Sequence, residues 1–328
     1  MIDVLALPFM QRALLAAILS GLIAPAIGTY IVQRKMSLLG DGLGHVAIMG
    51  VGLALMTGWA PLPVAVATCV VGAVIVELLR QHGKASGDLG LAILFYGGLA
   101  SGVLMAGIAG QGAGGLSAYL FGSLTSVTDT DLYVIVGLAV VILVLSIGLA
   151  PRLFAVAVDE DFARVLGIRV KLLNLLVVIL AAVTVTVSMR TVGLLLISAL
   201  MVIPVATSQQ AFVGFYPAFF GSMGIGVLAA VTGTVGSFYL DTATGATIVV
   251  TAIALLGVSW LIGSRLRRSD RFIPFVEDHG AQPHQPAEGH DDSHAHTAGV
   301  KVIQHGDHLD YVHDGHRHAR HGDHYDEH

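Results

Sequence analysis

Charge is scarce in this chain and unevenly placed. Only 12% of its 328 residues are Asp, Glu, Lys or Arg, about half the share of an ordinary soluble domain. Residues 1–264 carry ten acidic and ten basic side chains, and residues 265–328 carry twelve acidic and seven basic. The formal net charge of −5 therefore arises wholly in the C-terminal segment. So apolar a body excludes a cytosolic enzyme, a DNA-binding domain or a disordered protein for residues 1–264. Cysteine is nearly absent: Cys69 stands alone, which excludes a disulfide framework and a cysteine-built zinc fold. A nucleotide-binding loop is missing as well. The Gly-Lys step, Gly83–Lys84, is followed by Ala85 and has Leu78 five residues upstream, against the required G-x-x-x-x-G-K-[ST]. No H-E-x-x-H motif occurs. Any ATP-driven process needs a separate ATPase subunit.

What is present is apolar: 55% of the residues are hydrophobic and 40 are glycine. A bilayer crossing takes about 20 such residues. Segments of that kind lie near 10–32, 42–59, 62–79, 89–109, 131–150, 172–189, 191–208, 217–240 and 245–264. The fold expected is an all-α polytopic membrane protein of about nine transmembrane helices, with eight possible. Segments six and seven are separated only by Met189, Arg190 and Thr191, so they form a tight hairpin or one broken unit. The stretch Leu116–Leu124 is too short to span and suits a short interfacial helix. The runs are continuous rather than alternating, against a β-barrel. The first is long and followed by others, so no cleavable signal is expected.

Positive charge sets orientation. With the N-terminus outside, the inner loops hold Arg34, Lys35, Arg80, Lys84, Arg152, Arg164, Arg169 and Lys171, then Arg265, Arg267, Arg268 and Arg271. Nine spans then leave the C-terminus in the cytoplasm. Glycines four apart, such as Gly40 and Gly44 or Gly98 and Gly102, let helices approach closely. Pro25 and Pro204 are expected to bend or break their helices.

The segment Q-R-K-M-S-L-L-G-D-G-L-G-H-V-A-I-M-G, residues 33–50, is the most informative. Asp41 and His45 are four apart, on one face of a helix. A carboxylate oxygen and an imidazole nitrogen suit a divalent transition metal. Ionisable groups entering an apolar segment are costly and usually functional. Spacing alone also allows a helix cap by Asp41 with His45 bonded to a carbonyl.

This segment resembles the metal-site region of the ABC-type permeases for zinc and manganese uptake, with Gly44 where that family often has Ser. Four further stretches are similar in order: D-L-G-L-A-I-L-F-Y-G-G-L-A-S-G-V (88–103), Y-L-F-G-S-L (119–124), V-G-L-L-L-I-S-A-L-M-V-I-P-V-A-T-S (192–208) and S-F-Y-L-D-T-A-T-G-A-T-I-V (237–249). The resemblance covers about residues 8–264. It implies that Asp41 and His45 are ligands of the transported ion. It also implies that two copies line one pathway, that cytoplasmic ATPase subunits bind the inner loops, and that an external metal-binding protein docks outside. No tightly bound cofactor, catalytic residue or nucleic-acid partner is implied; Zn²⁺ or Mn²⁺ is the substrate. Two inner segments are candidates for coupling to the ATPase. One is Thr207–Tyr216, with Thr207, Ser208, Gln209 and Gln210, where related importers place the coupling helix. The other is Val158–Ile168, with Phe162 and Arg164.

Four other acids lie within or beside the spans. Glu77, one turn before an inner loop, is expected to snorkel. Asp129 and Asp131 are expected to cap a helix start, and Asp241 to sit at a helix end.

Residues 279–328 are a different polymer, with 13 of the 15 histidines, nine acids and three bases. So few large apolar residues predict a disordered tail. It follows a basic linker, 265–278. His294, His296, His305, His308, His313, His316, His318, His321 and His324, interleaved with carboxylates, make a multi-site ligand for Zn²⁺ and a poorer one for Mn²⁺.

The resulting expectation is a homodimeric permease of an ATP-driven divalent-metal importer, most plausibly for zinc, in a bacterial-type inner membrane. A manganese or iron permease of the same type is the nearest rival. A secondary metal carrier and a metal-sensing membrane scaffold are rivals of another class.

Overall fold

The computed structural model describes residues 7–81, 87–123, 127–194 and 196–266, together with five short strands of the C-terminal segment. The chain divides into two units, Met1–Asp270 and Arg271–His328.

The first unit is helical among its described residues. Its elements are α1 (Pro8–Gln33), α2 (Leu39–Thr57), α3 (Pro61–Gln81), α4 (Gly87–Ile108), α5 (Gly112–Phe121), α6 (Asp129–Gly148), α7 (Ala150–Val158), α8 (Glu160–Val165), α9 (Val170–Ser188), α10 (Ile197–Ala211), α11 (Phe215–Leu240) and α12 (Thr244–Leu266). Seven of these, α1, α2, α3, α6, α9, α11 and α12, are long and apolar enough to cross a membrane. The described apolar part of α4, Ala92–Ile108, is shorter. The ten-residue α5 covers the stretch expected to be a short helix.

The seventh expected span, 191–208, is not a full-length helix. Thr191, Val192 and Leu194 lie in turns, Gly193 has no regular structure, and helix begins only at Ile197. The cause is a competing set of backbone partners at the end of α5. The Leu194 N–H donates to the Tyr119 carbonyl at 2.9 Å, and the Ser123 N–H donates to the Arg190 carbonyl at 3.2 Å. Gly193 takes φ +87°, and a Cβ there would lie 2.5 Å from the Leu120 carbonyl oxygen. Only glycine meets both demands.

α1 packs against α11, α10, α9 and α6, and α2 packs against α4, α3 and α9. The closest approaches run through the glycine pairs. A Cβ on Gly98 would sit 2.6 Å from the His45 carbonyl oxygen, and one on Gly102 would sit 2.7 Å from Ile48. The expected small-residue spacing therefore seats α4 on α2. Gly40 abuts Ser198, and Gly44 abuts the Leu194 carbonyl, so α2 also receives the start of α10 through its glycines. Of the two outcomes expected at Pro25 and Pro204, bending or breaking, a break is absent: both prolines lie inside continuous helices. The Thr29 hydroxyl donates to the Pro25 carbonyl at 2.9 Å.

Glu77 does not snorkel. It is 1% exposed, held by Arg80 at 2.9 Å and by the Gln81 amide at 2.9 Å. A neighbouring network joins three elements: Arg34 donates to Glu160 at 3.0 Å, and the Asn174 amide donates to the same carboxylate at 2.9 Å. Burial pushes the Arg34 guanidinium below its usual pKa, and the nearby Arg80 adds to this; Glu160 and Glu77 oppose it. At the other end, Arg12 pairs with Asp129 at 3.1 Å. Asp131 completes a capping box with Thr128 at the start of α6. Asp241 ends α11 in the left-handed region, at φ 49°.

The second unit is described only in short pieces. Five strands, β1 (Gln285–Pro286), β2 (Lys301–His305), β3 (His308–His313), β4 (His316–His321) and β5 (His324–Glu327), form one sheet in the order β1-β5-β4-β3-β2. Neighbouring strands in that order pair antiparallel. His294, His296 and most of the 265–278 linker lie outside the described residues.

Candidate metal centre

Asp41 lies in the first turn of α2, and His45 one turn later is 6% exposed. The His45 Nδ1 is 2.7 Å from the Asp41 carbonyl oxygen. A carbonyl only accepts, so Nδ1 carries the proton and donates. The lone pair is then left on Nε2. This is the usual arrangement of a metal-ligating histidine, whose second nitrogen is fixed by a carbonyl or carboxylate. The carbonyl bond foreseen as the alternative to metal binding is therefore present, yet it leaves the ring able to ligate. The cap foreseen for Asp41 is absent, since no side chain caps the start of α2.

The Asp41 carboxylate instead accepts a hydrogen bond from the Ser198 hydroxyl at the start of α10. The Phe95 ring of α4 covers the His45 ring, with centroids 3.8 Å apart. One face of α2 thus carries the carboxylate and imidazole, and α4 and α10 close on it through glycine contacts. Ser198 and Phe95 were not singled out in the sequence. Both sit inside motifs read as a family signature, but their approach to Asp41 and His45 is a tertiary fact. Among the residues whose side chains are described, no three of His, Cys, Asp and Glu converge on one point. Among those residues, Asp41 and His45 stand as a pair rather than as part of a larger cluster.

This helical body, with its paired Asp41 and His45, matches a known family over residues 6–263, the ABC 3 transport family. The chain belongs to that family. It is a multi-pass membrane permease of the kind found in divalent-metal ABC importers. Proteins similar to it include the manganese import system permease protein ScaB of Streptococcus parasanguinis. That relative is 30% identical over 262 residues, 80% of this chain and 93% of its own. The high-affinity zinc uptake system membrane protein ZnuB of Haemophilus influenzae is 32% identical, over 77% of this chain and 97% of its own. Among solved structures, PsaBC from Streptococcus pneumoniae in complex with Fab aligns with a TM-score of 0.74 and 29% identity. The alignment covers 82% of this chain and 98% of that one.

The coupling candidates separate by burial. Thr207 and Ser208 are buried. The Thr207 carbonyl accepts from the Ser259 hydroxyl at 3.3 Å, and the Ser208 hydroxyl donates to the Ala218 carbonyl at 2.7 Å. These two residues tie α10 to α12 and α11 rather than facing outward. Gln209 is exposed and Gln210 half-buried. Beyond them Phe212, Val213 and Tyr216 are exposed, Val213 to 95%. Phe162 and Val165 of α8 and Leu166 just after it are exposed. Arg164 pairs with Asp161 at 2.6 Å.

Proposed function

We propose that this chain is the permease of an ATP-driven importer whose cargo is Zn²⁺, with Asp41 and His45 as its ligands in the pathway. The observation that carries the assignment is the His45 Nδ1 bond to the Asp41 carbonyl, which presents Nε2 to a cargo ion. A carboxylate with an imidazole serves Zn²⁺ and Mn²⁺ alike, and relatives are named for each. Zinc is favoured by the histidines of the tail. Two ligands per chain favour a homodimer in which each copy contributes its pair.

The route through the membrane is nine passages, the last three being α10, α11 and α12. α10 supplies its passage together with the non-helical stretch before it. In support, Ser198 meets Asp41 at the start of α10, while its end at Thr207 meets Ser259, in the second half of α12. With the N-terminus outside, the tail is cytoplasmic, where it binds incoming metal. The exposed turn after Gln209 and Gln210 is the first site for an ATPase subunit, and α8, with Phe162 and Arg164, is the second. Thr207 and Ser208 act by bracing that turn. An external metal-binding protein supplies the ion from the other side.

The test is uptake into proteoliposomes holding this chain with its ATPase. Zn²⁺ accumulation that requires ATP, and is outcompeted poorly by Mn²⁺, is the expected result. Preference for Mn²⁺ would move the assignment to manganese, and uptake driven by a proton gradient without ATPase would overturn it.

A further inference from the structure

The short helix α8 is closed at both ends. The Asp159 carboxylate caps its start, accepting from the Asp161 and Phe162 N–H groups at 2.9 and 3.0 Å. At its end the Gly167 N–H donates to the Arg164 carbonyl at 3.0 Å and the Ile168 N–H to the Ala163 carbonyl at 3.1 Å. With Gly167 at φ +75° this is a Schellman motif. So short a helix, bonded at each end, moves as one piece. Phe162 and Val165 are exposed on it, while Ala163 is buried. The Glu160 carboxylate holds it to the body, accepting from Arg34 at 3.0 Å and from the Asn174 amide at 2.9 Å. The Arg34 side chain is buried and Glu160 half-buried, so water screens this pair less than a surface one. Pulling Glu160 away would leave a buried guanidinium without its hydrogen-bonded carboxylate, which is costly. Movement of α8 is therefore carried to Arg34 rather than lost between them.

The α1 side is equally stiff. Arg34 is the C-cap of α1. Beyond it the Lys35 N–H donates to the Val32 carbonyl and the Met36 N–H to the Ile31 carbonyl, both at 3.0 Å, a second Schellman motif. Lys35 takes φ +56° there, a conformation uncommon outside glycine. The Leu39 N–H then donates to the Met36 carbonyl at 2.9 Å, and Asp41 stands in the first turn of α2. A contiguous set of bonds thus runs from α8 to Asp41, as transmission between sites requires. A cavity of about 220 Å³, with Lys35, Arg80 and Val158 in its lining, adjoins the pair. It gives α8 room to shift without entering a packed core.

We infer that Glu160 is a positioning residue for coupling: through Arg34 it passes movement of α8 to the α1–α2 turn, and so to Asp41. This rests on the proposal that α8 meets an ATPase subunit. A pair serving stability alone would lower assembly and every activity together. A coupling pair separates ATP hydrolysis from uptake.

The experiment uses proteoliposomes holding the full chain with its ATPase, and reads Zn²⁺ taken up per ATP hydrolysed. Wild type is compared with Glu160→Gln, Arg34→Gln, Arg34→Lys and Val165→Asp. The first two break the pair from opposite sides, and either alone decides the question. In both, Zn²⁺ per ATP should fall at least tenfold. The Zn²⁺ concentration for half-maximal uptake, and the amount of ATPase retained in a pull-down, should stay within twofold of wild type. Arg34→Lys keeps the charge and should stay within threefold in Zn²⁺ per ATP. Val165→Asp, on the exposed side of α8, should lose the ATPase itself. Normal coupling in Glu160→Gln and Arg34→Gln, with the ATPase lost in Val165→Asp, would overturn the Glu160 link and leave α8 as an ATPase contact. A retained ATPase and normal coupling in Val165→Asp would overturn both. Retained ATPase and uptake falling together in Glu160→Gln and Arg34→Gln would assign the pair to structure alone, and would also overturn the link.

Discussion

The Ser198 hydroxyl donates to the Asp41 carboxylate across 157 residues of sequence, and so joins the first turn of α10 to the first turn of α2. Asp41 is the residue whose backbone oxygen also holds His45. A short helix that leads toward the proposed ATPase contact is therefore bonded to the side chain proposed to hold the cargo.

That link makes Ser198 a positioning residue. Ser198→Ala should raise the Zn²⁺ concentration for half-maximal uptake by about 10–100-fold, the usual effect of losing a partner that orients a ligand. Ser198→Thr, which keeps the hydroxyl, should restore most of it. Concentration-dependent uptake at matched expression checks this; an unchanged half-maximum in Ser198→Ala would remove the role.

His45→Ala should abolish uptake while the protein stays in the membrane. The ring packs against Phe95, so His45→Phe serves as the companion variant that preserves volume without a nitrogen ligand. Both should be inactive. Transport by either within twofold of wild type would show that the pathway ligands lie elsewhere.

Gly98→Ala should disturb the same site without touching a polar group. Its Cβ would fall 2.6 Å from the His45 carbonyl oxygen, so α4 must move off α2 and carry Phe95 away from the ring. Uptake should fall at least tenfold. Gly97→Ala, with no atom near its Cβ, should transport normally. Similar activity in the two variants would contradict the close packing.

Arg80→Ala should destabilise the body, because the Glu77 carboxylate is buried and would lose its charge partner. Breaking a buried pair from one side costs about 3–5 kcal/mol. The double variant Glu77→Gln/Arg80→Gln should recover much of the loss. Thermal unfolding in detergent reads both effects; a midpoint unchanged in Arg80→Ala would mean that Gln81 suffices.

A reporter active only in the cytoplasm, fused after Arg271, should be active if, as proposed, nine passages run from an outer N-terminus. Activity from an exterior-only reporter at that position would mean an even number of passages or an inverted body.

The membrane class, the helical segments and the Asp41–His45 pair were all legible in the sequence. Each depends on composition or on contacts within one helix, where spacing alone determines which residues share a face. Gly98 and Gly102 were legible for the same reason, as a small-residue pair awaiting a neighbour. What only the tertiary structure decided depends on partners distant in the chain. The apolar run at 191–208 has the length of a span, yet α5 takes its first backbone hydrogen bonds and helix starts only at Ile197. Glu77 lies near an interface in sequence, yet Arg80 and Gln81 close over it. Ser198 is one hydroxyl in an apolar run until the glycine contacts of α2 bring Asp41 against it.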